Sequence, residues 1–147
     1  MSLIINKEWK LTKTVLPQHT DHHGVMWHGS YLNFLEEGRI DALNKVGMSY
    51  SKLSKEGFAI PVTSIKINYK IAFIHGENFV LKSQFRLENK IRLNCKTLFI
   101  KSNGSIGAEA LIGLVFVRKT NESMKLVRDL PVKIKNILLL LEKGPKN

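Results

Sequence analysis

The stretch HTDHHGVMWHGSYLNFLEEGR, residues 19–39, carries most of the information about fold and function in this 147-residue chain. It contains one aspartate, Asp21, which is followed by Gly24 and by the pair Trp27 and His28. From residue 31 onward, apolar side chains recur at three- and four-residue spacing, which predicts a helix over residues 31–46. The sequence therefore places a carboxylate in a loop just before a helix begins.

A carboxylate beside a helix start has the components that acyl transfer needs. The carboxylate can attack a carbonyl carbon or activate water, and the free N–H groups of the first helical turn can hold the developing oxyanion. The alternative interpretation is structural, because a loop aspartate often accepts a hydrogen bond from a nearby backbone N–H in an Asx turn. Asp21 is therefore a candidate catalytic residue whose role, nucleophile or general base, the sequence leaves open.

Working outward, the chain shows one strand before this helix and a run of strands after it. Alternating apolar and polar residues predict a strand at 9–15, which Pro17 ends. Ser49 or Ser51 is expected to cap a short second helix that ends at Gly57. The other predicted elements are strands at 58–72, 78–88, 91–101 and 105–118, with a turn over 119–124, and a terminal helix from Pro131 to about Leu141.

This order of elements predicts an α+β fold. An antiparallel sheet with one apolar face must be covered by another layer, and the helix at 31–46 is the predicted element long and apolar enough to cover it. A chain of 147 residues is expected to form a single domain, taken here as residues 1–147.

The pattern D-x-x-G-V-x-W-H-x-x-Y, which starts at Asp21 and is followed by F-L-E and by Arg39, resembles the 4-hydroxybenzoyl-CoA thioesterase-like branch of the hotdog-fold superfamily. The resemblance extends more weakly over residues 9–131. It implies a hotdog fold, in which an antiparallel sheet wraps around a central helix, and a homodimer or homotetramer.

The resemblance also implies an acyl-CoA thioesterase, which cleaves an acyl- or aryl-CoA thioester to a free acid and a thiol. Asp21 would be the catalytic carboxylate, and the backbone N–H of His28 would polarise the thioester carbonyl. Coenzyme A enters only as part of the substrate, and no cofactor is implied. The candidate substrate-binding residues are Gly24, Trp27, Tyr31 and Tyr69.

Two positions depart from the family pattern. Pro17 and His19 stand where the family often has a tyrosine and an aspartate. These departures keep a second class of function open, a non-catalytic hotdog module that binds acyl-CoA or another acidic ligand. Release of free thiol from a panel of thioesters would separate the two classes.

Four of the five histidines lie in the opening stretch and raise the question of a metal site. His22 and His23 are sequence neighbours, however, and the spacing H-x-x-H-H is not a known zinc-binding pattern. We therefore predict no metal.

The net charge of +11 is unevenly distributed along the chain. Residues 61–117 and residues 118–147 each carry eight basic and three acidic side chains. Such an excess favours an acidic partner, for example coenzyme A or an acyl carrier protein, although a solvated lysine-rich surface is the alternative. The sequence has no recognised nucleic-acid-binding motif, so no nucleic-acid partner is predicted.

Cysteine content and hydropathy bear on location. Cys95 is the only cysteine, which excludes a disulfide within one chain. No apolar run approaches the roughly 20 residues that span a bilayer. These features predict a cytoplasmic protein.

Overall fold

The computed structural model describes residues 7–146, which form three α-helices and two antiparallel sheets. The helices are α1 (Ser30–Lys45), α2 (Tyr50–Lys55) and α3 (Val132–Lys143). The strands are β1 (Trp9–Thr14), β2 (Phe58–Ala59), β3 (Val62–Tyr69), β4 (Asn78–Glu88), β5 (Arg92–Lys101), β6 (Ile106–Val115), β7 (Val117–Lys119) and β8 (Met124–Leu126).

The larger sheet has the strand order β1-β4-β5-β6-β3, and each neighbouring pair is antiparallel. Helix α1 packs against β1 and β4 on one face of this sheet. Alternation along β4 turns Phe79, Leu81, Ser83 and Phe85 toward the helix, while Val80, Lys82 and Gln84 face outward. The α+β prediction is confirmed, and α1 covers the sheet as the sequence indicated.

A cluster of buried aromatic rings joins the start of α1 to the sheet. Phe34 on α1 lies edge to face with Phe79, with ring centroids 5.0 Å apart, and Phe79 stacks on Phe99 at 5.8 Å. Phe73 completes the cluster at 5.0 Å from Phe79. All four phenylalanines are almost completely buried, so this cluster fixes where α1 begins relative to the sheet.

Two predicted strands are shorter in the structure, and a further strand was not predicted. The strand expected at 58–72 is divided at Pro61, because β2 pairs with β7 in the smaller sheet whereas β3 pairs with β6. The strand expected at 105–118 is likewise divided at Phe116 into β6 and β7. Strand β8 lies partly in the segment predicted as a turn. Two- and three-residue strands are too short to show an alternating pattern, which explains these errors.

The helix ends follow the predicted caps. The side chain of Ser49 accepts a hydrogen bond from the Lys52 N–H at 3.1 Å and so caps α2. Helix α3 starts directly after Pro131, and the Trp9 indole donates to the Leu141 carbonyl at 2.7 Å. Among residues 7–146, no helix is long and apolar enough to cross a membrane.

Candidate active site

Asp21 lies at the start of a tight turn that ends at Gly24. The Gly24 N–H donates to the Asp21 carbonyl at 3.1 Å, and the Asp21 N–H donates to the Val25 carbonyl at 2.9 Å. Gly24 has φ of +79°, a conformation that side chains with a Cβ rarely adopt. Gly24 therefore permits this turn, and the turn presents the Asp21 side chain at a partly exposed position.

The Asp21 carboxylate also makes the Asx turn that was the structural alternative. Its Oδ1 accepts a hydrogen bond from the His23 N–H at 2.8 Å. Within residues 7–146, no group donates a hydrogen bond to Oδ2. The two interpretations are therefore compatible, because the turn uses one oxygen and leaves the other for chemistry.

The Asp21 turn is held in place by the segment that follows β3. The Met26 N–H donates to the Phe73 carbonyl at 2.7 Å, and the His75 N–H donates to the Gly24 carbonyl at 3.0 Å. Met26 and Phe73 are buried, so this attachment is anchored in the core.

His19 positions the start of α1 through its backbone carbonyl. This oxygen accepts hydrogen bonds from the Trp27 N–H and from the Ser30 hydroxyl, both at 2.8 Å. The His19 ring lies 4.5 Å from the Phe34 ring, and its Nδ1 accepts from the Leu16 N–H at 3.0 Å. His19, at a position that departs from the family pattern, thus has a structural role that sequence reasoning missed.

The backbone at His28 presents free donors at the beginning of α1. In the described part of the chain, no acceptor pairs with the N–H of His28, Gly29 or Tyr31. The His28 carbonyl, by contrast, accepts a hydrogen bond from the Tyr69 hydroxyl at 3.0 Å. Free N–H groups at the positive end of a helix dipole favour a negative charge, so an oxyanion fits here.

The three aromatic side chains predicted to bind substrate differ in their solvent exposure. Trp27 and Tyr69 are 49% and 51% exposed, whereas Tyr31 is 2% exposed. The Tyr31 ring lies beneath Tyr69 with centroids 4.8 Å apart, and burial is the main cause that raises the pKa of Tyr31 to about 12. A side chain at position 29 would overlap the Trp27 ring, so Gly29 is what lets the indole lie against the helix start. Of the predicted binding residues, Trp27 and Tyr69 therefore expose aromatic surface, whereas Tyr31 is buried.

The histidines do not gather around a common point. The His22 and His23 rings lie 3.9 Å apart, and the His28 ring lies beside Trp27 at 4.9 Å. Across residues 7–146, no three His, Cys, Asp or Glu side chains are arranged to hold a metal ion.

An ion pair that the sequence did not indicate supports residues 72–75, the segment that holds the Asp21 turn in place. Lys101 lies 2.7 Å from Glu77, donates to the Ala72 carbonyl at 2.7 Å and sits 4.3 Å from the centre of the Phe73 ring. The second Glu77 oxygen accepts from the Ile74 N–H at 2.9 Å. Burial tends to raise the pKa of Glu77, but the hydrogen bonds from Lys101 and Ile74 outweigh it and lower the pKa below the ordinary 4.5.

We expect Glu77→Gln to reduce thermal stability in a pH-dependent way. A carboxylate whose pKa is lowered in the folded state stabilises the fold above pH 4.5, and that contribution is lost as the pH falls through the lowered pKa. At pH 7 the midpoint temperature of thermal unfolding should drop by roughly 2–4 °C. Below pH 4.5 the difference in this temperature between variant and wild type should shrink. Thermal melts between pH 7 and 3 measure this, with Glu56→Gln, in the exposed Lys133 pair, as control. A difference that persists unchanged at pH 3 would show that the ionised pair is not the cause.

The antiparallel sheet with a central helix packed on one face is the architecture of a hotdog fold. A sequence model of the thioesterase-like superfamily matches residues 15–137, and the chain belongs to this superfamily. The prediction of a thioester hydrolase is thereby confirmed.

Individual relatives agree with this assignment. A Synechocystis protein described as an esterase is 31% identical over 142 residues, covering 96% of this chain and 84% of its own length. The long-chain acyl-CoA thioesterase of Escherichia coli is 27% identical over 122 residues, covering 82% of this chain and 92% of its own. A 1,4-dihydroxy-2-naphthoyl-CoA thioesterase structure from Synechocystis superposes with a TM-score of 0.82 at 18% identity, covering 92% of this chain and 98% of its own. The predicted hotdog fold is confirmed by this likeness.

Proposed function

We propose that this protein hydrolyses acyl-CoA thioesters with the carboxylate of Asp21 and the free N–H of His28. The observation that carries the proposal is the arrangement of one loop. Among residues 7–146, a turn presents a carboxylate with one oxygen unpaired, and the same loop ends in unpaired N–H groups at the start of α1. His19 and the 73–75 segment fix both parts of the loop.

The chemistry follows from these two groups. The thioester carbonyl oxygen would accept a hydrogen bond from the His28 N–H, which stabilises the negative charge that develops in the transition state. Asp21 would then act in one of two ways. As a nucleophile it attacks the carbonyl carbon, expels the thiolate and leaves a mixed anhydride that water hydrolyses. As a general base it takes a proton from water, whose oxygen attacks the carbonyl carbon and expels the thiolate.

The substrate class is supported by the relatives and by the exposed rings. The E. coli relative acts on long-chain acyl-CoA, and the Synechocystis structure is of an enzyme for a naphthoyl-CoA. Trp27 and Tyr69 present aromatic surface beside the helix start, which suits an acyl or aryl group. An acyl carrier protein is the alternative carrier. We place the enzyme in the cytoplasm, where the buried Cys95 would stay reduced.

We further propose that the enzyme is a homo-oligomer built through the free edge of β3. Strand β3 is the last strand of the larger sheet and pairs with β6 on one side only, as far as residues 7–146 show. Its side chains are exposed on both faces, with Val62, Ile65 and Tyr69 between 40% and 51% exposed. A long apolar edge strand invites pairing with another chain. The same edge ends at Tyr69, so a partner there would lie beside the proposed active site.

Release of free thiol from a panel of thioesters tests the function directly. The panel should present short, long and aromatic acyl groups on coenzyme A, and the preferred acyl group again on an acyl carrier protein. We expect turnover of at least one acyl-CoA, with a kcat in the common range of about 1–1000 per second. Binding of acyl-CoA without release of thiol from any substrate would instead support the non-catalytic module.

A further inference from the structure

The face of the larger sheet that points away from α1 is strongly basic. The strand register places Lys10 opposite Lys82, and Lys66 and Lys96 on either side of Leu111. Alternation puts two further cations and two carboxylates on the same face. The cations on this outward face are Lys10, Lys66, Lys82, Arg86, Lys96 and Arg92, and the carboxylates are Glu88 and Glu109.

Part of this face forms a cleft of about 830 Å³, which lies within the usual range for small-molecule sites. The cleft is lined by three cations, Lys66, Arg86 and Lys96. Two acidic residues, Glu88 and Glu142, also belong to the lining. Glu142 already accepts a hydrogen bond from the Leu87 N–H. Ser64, Gln84 and Asn94 add polar groups to the lining.

The cations of the cleft are not all neutralised by the protein. Lys96 pairs with Glu109 at 3.2 Å. Lys66 and Arg86, by contrast, have no acidic or hydrogen-bonding partner among residues 7–146. In the lining, three cations outnumber the two carboxylates, and two of the cations have no partner among the described residues, so the cleft favours an anionic ligand.

The middle of the cleft presents polar groups beside an apolar side chain. Gly113 lies between Asn94 and Ser64 in the register, and a Cβ on it would come within 2.6 Å of the Ser64 hydroxyl. The Ser64 hydroxyl therefore occupies the place that a side chain at position 113 would take, with the Asn94 side chain close by. Leu111, which is 51% exposed, provides apolar surface beside it.

We propose that this cleft binds a nucleoside phosphate. Lys66, Arg86 and Lys96 would contact the phosphates, and the base would lie against Leu111 with Ser64 and Asn94 within reach of its polar edge. A second copy of this chain fits less well, because the same basic face on both partners would repel. The nucleoside phosphate has two candidate sources. One is the nucleotide part of a coenzyme A substrate, and this source rests on the proposed function. The other is a free nucleotide, which is independent of the proposed function.

Calorimetric titration with ADP and with adenosine 3′,5′-bisphosphate tests the site without any turnover. We expect saturable binding by the wild-type protein and a loss of at least tenfold in affinity for Lys66→Gln/Arg86→Gln, since charge-assisted contacts to phosphate are strong. Lys10→Gln/Lys82→Gln is the matched control: it removes the same charge from the same face, outside the cleft lining, and should change affinity less than about threefold. Absence of saturable binding, or equal losses in both double variants, would overturn the proposal.

Hydrolysis kinetics then identify the source. If the cleft holds the nucleotide of the substrate, Lys66→Gln/Arg86→Gln should raise KM for an acyl-CoA about tenfold, because that contact is lost from ground and transition states alike. The same acyl group on N-acetylcysteamine, which has no nucleotide, should be hydrolysed equally by both proteins. An unchanged KM for acyl-CoA, together with lost ADP binding, would assign the cleft to a free nucleotide.

Discussion

Asp21→Asn should lower kcat by about a hundredfold or more while leaving the fold intact, which corresponds to about 2.7 kcal/mol of transition-state stabilisation. Asparagine keeps an oxygen at the position of Oδ1, so the hydrogen bond from the His23 N–H and the turn to Gly24 are retained. What the substitution removes is the negative charge, which both a nucleophile and a general base require. Thiol release and a thermal melt measured on the same sample give the two readouts.

Two further variants separate catalysis from turn geometry. Asp21→Ala removes both the charge and the Asx turn, so it should lose activity and also melt at a lower temperature than Asp21→Asn. Asp41→Asn makes the same change in charge on α1, where Asp41 pairs with Lys45, and should leave kcat within about twofold. Near-normal turnover by a folded Asp21→Asn protein would assign Asp21 to the turn alone and leave the reaction without its carboxylate.

The parts of the structure that sequence reasoning predicted are those with a local signal. Helix α1, the cap at Ser49 and the start of α3 after Pro131 each depend on residues within one or two turns of one another. The long strands β4 and β5 have ten or more residues, enough to show their period of two.

The parts that sequence reasoning missed depend on contacts between distant segments. The His19 carbonyl acts through its backbone, so the type of side chain at position 19 carries no signal for it. The Glu77–Lys101 pair joins residues 24 apart in sequence, so neither residue indicates the other in the sequence. The motif suggested Tyr31 as a substrate-binding residue. Its burial against Tyr69 depends on the packing of β3 on α1, which the sequence does not show.

The free edge of β3 leads to the second large effect that we expect, a loss of the oligomer in Ile65→Lys. Ile65 is 46% exposed in the single chain, so a lysine at this position should leave the monomer folded. In an oligomer paired through β3, the same lysine would lie at the interface without a partner charge. An unpaired buried charge costs several kcal/mol, which weakens association by more than about a hundredfold.

Sedimentation at micromolar concentration should therefore show a wild-type oligomer and an Ile65→Lys monomer. Leu139→Lys is the matched control, because Leu139 is 56% exposed and belongs to α3, outside the larger sheet, so its oligomeric state should match wild type. If the partner completes the surface beside Tyr69 and His28, the monomeric variant should also lose thiol release, and raising its concentration should restore part of it. An Ile65→Lys protein that remains oligomeric would exclude β3 as the interface. A monomer with full activity would show that one chain contains the whole active site.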